Sequence, residues 1–364
     1  MDKQQEAVPA KGKKCHNVFL LTLEFLVLFL AVGVLYVVIR MTNEVARTDI
    51  DDETIIINEK VAEKMKEDNI SNSTTQKKGY RNIALFGVDA RDGQLGKGTR
   101  SDSIIIASIN MDTGDVKLVS VYRDTYLNLS NDSYNKCNTA YAQGGPEQAI
   151  NMLNANLDLN ITDYATIGFG GLIDAIDALG GIDIEVTEAE ITHLNNYQLT
   201  MSEELDVDYV PVDEPGLQTL NGMQATAYCR IRYTAGDDFR RAERQRNVLD
   251  AMMAKAKKAS LSSLNEAVTA VLPSINTSLN VNEIISVAGT IADYEVITSE
   301  GFPFESDRTV ANIGAKGSCI VPVDLEENVV HLHELLYEEE SYSPSEEVIN
   351  ISNEIETQTE KYLN

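Results

Sequence analysis

The longest apolar run lies near the start of the chain. Residues 18–39 read VFLLTLEFLVLFLAVGVLYVVI, with Glu24 as the one charge. As a helix, such a run reaches roughly 33 Å, enough for a bilayer core of about 30 Å. It is longer than the apolar core of a cleavable signal peptide and has no small-residue cleavage site. It therefore predicts a retained transmembrane anchor over 18–40. Lys3, Lys11, Lys13 and Lys14 precede it, whereas Asp49, Asp51, Asp52 and Glu53 follow soon after. The positive-inside rule then places a tail, 1–17, in the cytoplasm and the remainder outside the cell membrane.

Beyond the anchor the pattern changes. Residues 41–79 are polar and charged, ending in NISNSTTQKKGY, and read as a stalk and linker with some helix around 55–65. Short apolar runs then alternate with helical spacing. RNIALFGV (81–88), SIIIASI (103–109) and DVKLVSVY (115–122) predict strands, as do stretches near 164–167, 182–186, 295–298 and 319–321. Helical spacing falls at 145–157, 170–179, 220–231, 239–258, 261–271, 282–293 and 325–337. This alternation predicts an α/β domain over 80–338, with a mixed central sheet covered by helices on both faces. Residues 187–215 read as an irregular acidic excursion. The final stretch, 339–364, is rich in Glu and poor in apolar residues, and predicts a disordered acidic tail.

Charge narrows the partners. The 364 residues carry 57 acidic against 30 basic side chains, a formal net charge of -27. Nucleic acid is a poor partner for such a surface, because phosphate binding needs a basic face. Any anion site must be a local basic pocket. Six arginines meet that need within AYCRIRYTAGDDFRRAERQRNVL: Arg230, Arg232, Arg240, Arg241, Arg244 and Arg246. On a helix over 239–258, Arg241, Arg244, Gln245 and Val248 share a face, while Arg246 points away toward solvent. Guanidinium forks suit phosphate oxygens. The same residues also suit a solvated helix face balanced by Asp237, Asp238 and Glu243, and spacing alone does not choose between the two.

A second cluster joins GVDARDG (87–93) to GTRSD (98–102). Asp89 follows one strand and Asp102 begins the next, at strand ends where α/β proteins place their sites. Two carboxylates near a diphosphate suit Mg²⁺, a hard cation that takes oxygen ligands. Ordinary loop carboxylates would leave the same pattern. H-E-x-x-H, C-x-x-C, G-x-S-x-G and P-loop motifs are absent from the sequence.

In order, GVDAR, TRSD, SVYRDT (120–125), YNKCNTAYAQGG (134–145), LGGIDIEV (179–186), LNGMQATAYCRIRY (220–233) and DFRRAERQ (238–245) resemble the LytR–CpsA–Psr family. The resemblance covers roughly residues 80–260 and continues less distinctively to about 338. It implies an α/β/α fold and a membrane-anchored phosphotransferase. Such an enzyme moves a glycopolymer from a polyprenyl-pyrophosphate carrier onto peptidoglycan, as in attachment of teichoic acid or capsule. A non-catalytic protein that binds lipid-linked glycan or regulates the envelope is the alternative.

By motif, Asp89 and Asp102 match metal carboxylates for Mg²⁺ or Mn²⁺. Arg100, Arg123, Arg230, Arg232, Arg241 and Gln245 match pyrophosphate-holding residues, with Lys136 and Asn138 beside them. Asp238 and Arg244 match the final motif, with Arg244 a further pyrophosphate-holding residue. Asp102 or Asp238 would take the proton of the acceptor hydroxyl, with Arg241 stabilising the transferring phosphate. Two positions depart from the family pattern: Arg240 stands where Gly is usual and Tyr122 where Pro is usual. The resemblance also brings Cys137 and Cys229 to one site and implies a disulfide between them, with two buried free thiols as the alternative.

Overall fold

The computed structural model describes residues 46–47, 54–66, 79–89, 95–232, 237–339 and 341–363. These belong to one unit, Val45–Asn364. The anchor expected at 18–40 and the cytoplasmic tail before it lie outside the described residues. Among the described residues no helix is long and apolar enough to cross a membrane.

The strands are β1 (Ala46–Arg47), β2 (Tyr80–Val88), β3 (Ser101–Asn110), β4 (Asp115–Val121), β5 (Tyr126–Asn128), β6 (Tyr134–Lys136), β7 (Asp163–Gly168), β8 (Ile182–Val186), β9 (Gly216–Leu220), β10 (Ile275–Thr277), β11 (Glu295–Phe302), β12 (Arg308–Asn312) and β13 (Ser318–Pro322). Seven of them form a mixed sheet in the order β1-β10-β7-β2-β3-β4-β11. The helices are α1 (59–66), α2 (Asn138–Leu157), α3 (Phe169–Ala178), α4 (Glu188–Leu205), α5 (Gly222–Arg230), α6 (Asp237–Ala256), α7 (Leu261–Val271), α8 (Val281–Gly289), α9 (Leu325–Tyr337) and α10 (Glu346–Thr359).

Strand periodicity explains the layering. In β3, Ile104 and Ile106 point into one core, whereas Ile105 and Ala107 point into another. Phe86, Val119 and Val121 join the first core, which α2, α9 and α10 cover. Val116 and Leu118 join the second, closed by Leu249 and Met253 of α6. Burial on both faces makes these strands near-continuous apolar runs. A third core gathers α3, α4, α5 and the separate β8–β9 pair around Leu194, Met223 and Val248. The strand expected at 182–186 is therefore present but stands outside the central sheet.

Three expectations fail. Residues 188–205 form a helix, α4, rather than an irregular loop. Its start is a capping box in which Glu190 Oε2 accepts from the Thr187 N–H at 2.9 Å. Leu194, Gln198 and Met201 then bury one narrow face. The acidic tail also folds: Ser345 caps α10, and Val348, Ile351 and Ile355 at i, i+3 and i+7 enter the first core. Part of the expected stalk is docked as well. The Ile56 N–H donates to Asn151 Oδ1 at 2.8 Å, and Asn151 Nδ2 donates to the Thr54 carbonyl at 3.0 Å.

Candidate functional site

The sheet topology gathers the expected residues at one edge. β7 runs parallel to β2 with Val88 opposite Gly168, and β11 runs parallel to β4 with Val121 opposite Phe302. All four end at this edge, and antiparallel β3 starts there, Ser101 opposite Val88. Asp89, Asp102, Arg123 and Phe169 therefore follow or begin strands along one line, as sites at the carboxyl ends of parallel strands do.

The first turns of α6 complete a narrow cleft lined by Asp102, Arg123, Asp124, Asp238, Arg241 and Gln245. Arg123 Nη1 donates to Asp102 Oδ1 at 2.6 Å. Its Nε lies 3.8 Å from Asp124 Oδ2 and 3.9 Å from Asp238 Oδ2. Arg232 donates through Nε and Nη2 to Asp238 Oδ1, each at 3.3 Å. Arg241 Nη1 approaches the same oxygen at 3.3 Å. Lys136 Nζ sits 3.1 Å from Asp124 Oδ1. Asn138 begins α2, and its N–H donates to the Arg123 carbonyl at 3.1 Å, fixing the turn that carries Arg123.

The charges shift one another. Burial opposes the Arg123 charge, but Asp102, Asp238 and Asp124 together raise its pKa. Burial lowers that of Arg241, and the nearby Arg123 charge acts in the same direction. Burial also raises the Asp124 carboxyl, aided by a hydrogen bond with Asp238 and opposed by Arg123 and Lys136. The Nε atoms of Arg123 and Arg241 are buried and find no hydrogen-bond partner. Two buried guanidinium N–H groups without acceptors are costly unless a ligand supplies them.

Other expected residues fall elsewhere. Asp89 and Arg100 lie exposed at the same edge, outside the cleft lining. Arg230 lies over Phe169 and Tyr197, its guanidinium carbon 4.7 and 5.4 Å from their ring centres. Arg244 faces the third core. Its Nε donates to Glu190 Oε1 at 2.7 Å and its Nη1 to the Ile231 carbonyl at 3.1 Å. Arg246, expected in solvent, is 7% exposed and donates through Nε to Ser299 Oγ at 2.9 Å. Arg240 turns outward onto Glu243 at 2.8 Å, so it does not crowd the cleft.

The implied disulfide is not formed: Cys137 and Cys229 are both buried free thiols. They belong to different cores, Cys137 with α2 and Cys229 with α5. The Cys137 thiol donates instead to the Tyr122 carbonyl at 3.2 Å. Burial pushes the Cys229 thiol up to about 12.

Tyr122 packs edge-on against Phe239 at 4.8 Å, and the Arg308 guanidinium lies 4.0 Å over the Phe239 ring. Arg308 Nη1 also donates to Tyr122 Oη at 3.1 Å. Gly301 leaves the space for Tyr122: a Cβ there would meet Tyr122 Oη at 2.0 Å. Sequence reasoning passed over Asp124, Glu190, Phe239 and Arg308. Asp124 had a signal, adjacency to Arg123 in SVYRDT, whereas Arg308 had none.

For a metal, the donor set is two carboxylates, Asp89 and Asp102, placed by the β2–β3 register. Among the described residues no group of three or more His, Cys, Asp or Glu could hold a metal ion. The pair fits Mg²⁺ only as a site completed by waters and ligand phosphate oxygens, which is how that ion commonly binds.

Residues 45–318 match the LytR_cpsA_psr family. The polyisoprenyl-teichoic acid–peptidoglycan teichoic acid transferase TagU of Oceanobacillus iheyensis is 34% identical over 203 residues, 54% of this chain and 57% of that protein. Biofilm regulatory protein A of Streptococcus mutans is 31% identical over 212 residues, 55% of this chain and 50% of that protein. The chain thus spans about half the length of these curated relatives. Among solved structures, the protein gbs0355 of Streptococcus agalactiae aligns with a TM-score of 0.59 at 24% identity, covering 76% of this chain and 92% of that one.

Proposed function

The chain belongs to the LytR–CpsA–Psr family, and on that premise we propose that it transfers a glycopolymer from a polyprenyl-pyrophosphate carrier to peptidoglycan. One observation carries the reading: Arg123 and Arg241 hold buried Nε–H groups without acceptors in a cleft edged by Asp102, Asp124 and Asp238. A diphosphate supplies such acceptors in the fork geometry that guanidinium groups favour. Cleaving it requires charge neutralisation on the transferring and leaving phosphates and placement of an attacking hydroxyl.

In this reading Arg123 and Arg241 grip the diphosphate, while Gln245 lines the same wall. Arg232 holds Asp238 in place, and Arg100 and Arg230 close on the ligand from the rim. Lys136 and Asn138 fix the floor, and Arg244 holds α6 to the third core through Glu190. Asp89 and Asp102 would bind Mg²⁺, whose chemistry is to neutralise phosphate oxygens. Residues 18–40 would anchor the chain, with the domain on the outer face of the membrane beside both substrates. The name of the S. mutans relative favours a second reading, a regulatory protein that binds the same lipid without turnover.

Binding separates the site from its surroundings. Full-length chain in detergent, titrated with polyprenyl pyrophosphate, should bind at least tenfold more weakly after Arg241→Ala, given about 1.5–3 kcal/mol for a charged hydrogen bond. Arg240→Ala should leave binding unchanged. Equal binding by all three proteins would refute the placement.

A further inference from the structure

Three carboxylates line the cleft, and their partners divide the work among them. Asp102 Oδ1 is taken by Arg123 at 2.6 Å. Asp238 Oδ1 accepts two N–H bonds from Arg232 and faces Arg241 as well. Arginines stay protonated, so the oxygens they occupy are engaged in charged hydrogen bonds. Asp124 differs. Its close cationic partner is the Lys136 ammonium, 3.1 Å from Oδ1, and it shares a hydrogen bond with Asp238, while its Oδ2 lies 3.8 Å from Arg123 Nε, beyond hydrogen-bond distance. Its backbone is held on both sides, since its carbonyl accepts from the Ile320 N–H at 2.9 Å and the next residue, Thr125, bridges to Ile320.

We propose that Asp124 is the general base of the transfer, taking the proton of the acceptor sugar hydroxyl, while Asp102 would hold the metal together with Asp89 and Asp238 keeps the arginines in place. This rests on the transferase reading above. In the step, the acceptor O–H bond breaks and its proton goes to Asp124 Oδ2. The acceptor oxygen forms a bond to the sugar-bearing phosphorus. The bond from that phosphorus to the bridging oxygen breaks, and the electron pair leaves with polyprenyl phosphate. A proton on Asp124 then passes to solvent or to the departing phosphate, restoring the base.

The surroundings suit a base that must gain and lose a proton. Burial and the neighbouring Asp238 raise the Asp124 carboxyl toward working pH, where proton transfer is most effective. The groups facing it are Arg123, Lys136, Asp238 and Arg241, together with the Cys137 and Cys319 thiols, which burial keeps protonated. Below its raised pKa, Asp124 is protonated and cannot accept. The transfer rate should therefore fall on the acid side.

The test uses full-length protein in detergent with polyprenyl-pyrophosphate-linked sugar and a peptidoglycan oligomer. Asp124→Asn should lower kcat by about 10²–10⁴-fold with lipid affinity unchanged, the range general-base loss produces. It should also flatten the acid limb of the rate profile, and Asp124→Glu should restore part of the rate. Transfer by Asp124→Asn within threefold of the parent would overturn the proposal. A second measurement does not depend on turnover. Infrared difference spectra of a pH titration should show a protonated carboxyl disappearing above the ordinary aspartate range, and Asp124→Asn should abolish that band. Its persistence in the variant, or its absence from the parent, would overturn the assignment even if transfer itself failed.

Discussion

Glu190 shows how much one side chain outside the cleft can decide. One oxygen caps α4 through the Thr187 N–H, and the other holds Arg244 of α6. Both partners of the ion pair are nearly buried, at 9% and 6% side-chain exposure. Removing one partner of a buried pair leaves an uncompensated charge, which typically costs about 3–5 kcal/mol. Glu190→Ala should lower Tm accordingly, and a drop under 1 °C would refute the pair's importance. The sign with pH is also fixed. Burial opposes the Glu190 charge, but the Thr187 N–H and Arg244 outweigh it and lower the folded pKa. The pair's stabilisation is present above the ordinary glutamate pKa and lost as pH falls through the lowered one. The T-x-x-E spacing of this cap lies in the sequence but was passed over when 187–215 was read as irregular, and the Arg244 partner, 54 residues on, leaves no local signal. Arg244 read as a phosphate ligand because motif position says nothing about which way a helix face turns.

At the scale of elements, a buried polar knot ties both flanks of the domain to α2. Asp158 follows α2 and accepts from Tyr342 Oη at 3.1 Å, from the Ser345 N–H at 2.7 Å and from Asn58. His333 of α9 stacks on Tyr342 at 3.6 Å, with Nε2 3.0 Å from the Leu157 carbonyl. Burial lowers the His333 pKa to about 4 from an ordinary 6.5. The unfolded chain therefore binds a proton first. Stability should be full above pH 6.5 and fall toward pH 4, by about 3 kcal/mol from this residue. His333→Gln should remove that slope in denaturant titrations at several pH values; an unchanged slope would assign it elsewhere.

The tail and α4 were misread for a common reason. Their charge is high, and only one narrow stripe is apolar, so average composition hid the buried positions. A chain ending at residue 339 loses Val348, Ile351 and Ile355 from the first core. At about 1.5–3 kcal/mol per buried side chain, it should lose several kcal/mol of stability. Truncation without change in the unfolding midpoint would contradict the docking.

At the scale of the molecule, the central strands were legible because both-face burial leaves long apolar runs, whereas their order in the sheet came only with the structure. The gathering of Asp102, Arg123, Asp238 and Arg241 came from motif order, since strand ends set the line of the site. The cysteines were misplaced because Cys137 and Cys229 neighbour site residues in sequence but sit in separate cores. Arg308 and the docked segment 54–66 depend on long-range contacts that no local pattern announces.

Transfer of a sugar phosphate in this cleft can be followed directly. The direct measurement mixes full-length protein in detergent with polyprenyl-pyrophosphate-linked sugar and a peptidoglycan oligomer, with Mg²⁺ or EDTA. Mass spectrometry then follows the sugar. A Mg²⁺-dependent phosphodiester adduct should form, and it should be absent in Asp102→Ala. Tight lipid binding with no adduct across several acceptors would contradict transfer and favour the regulatory reading.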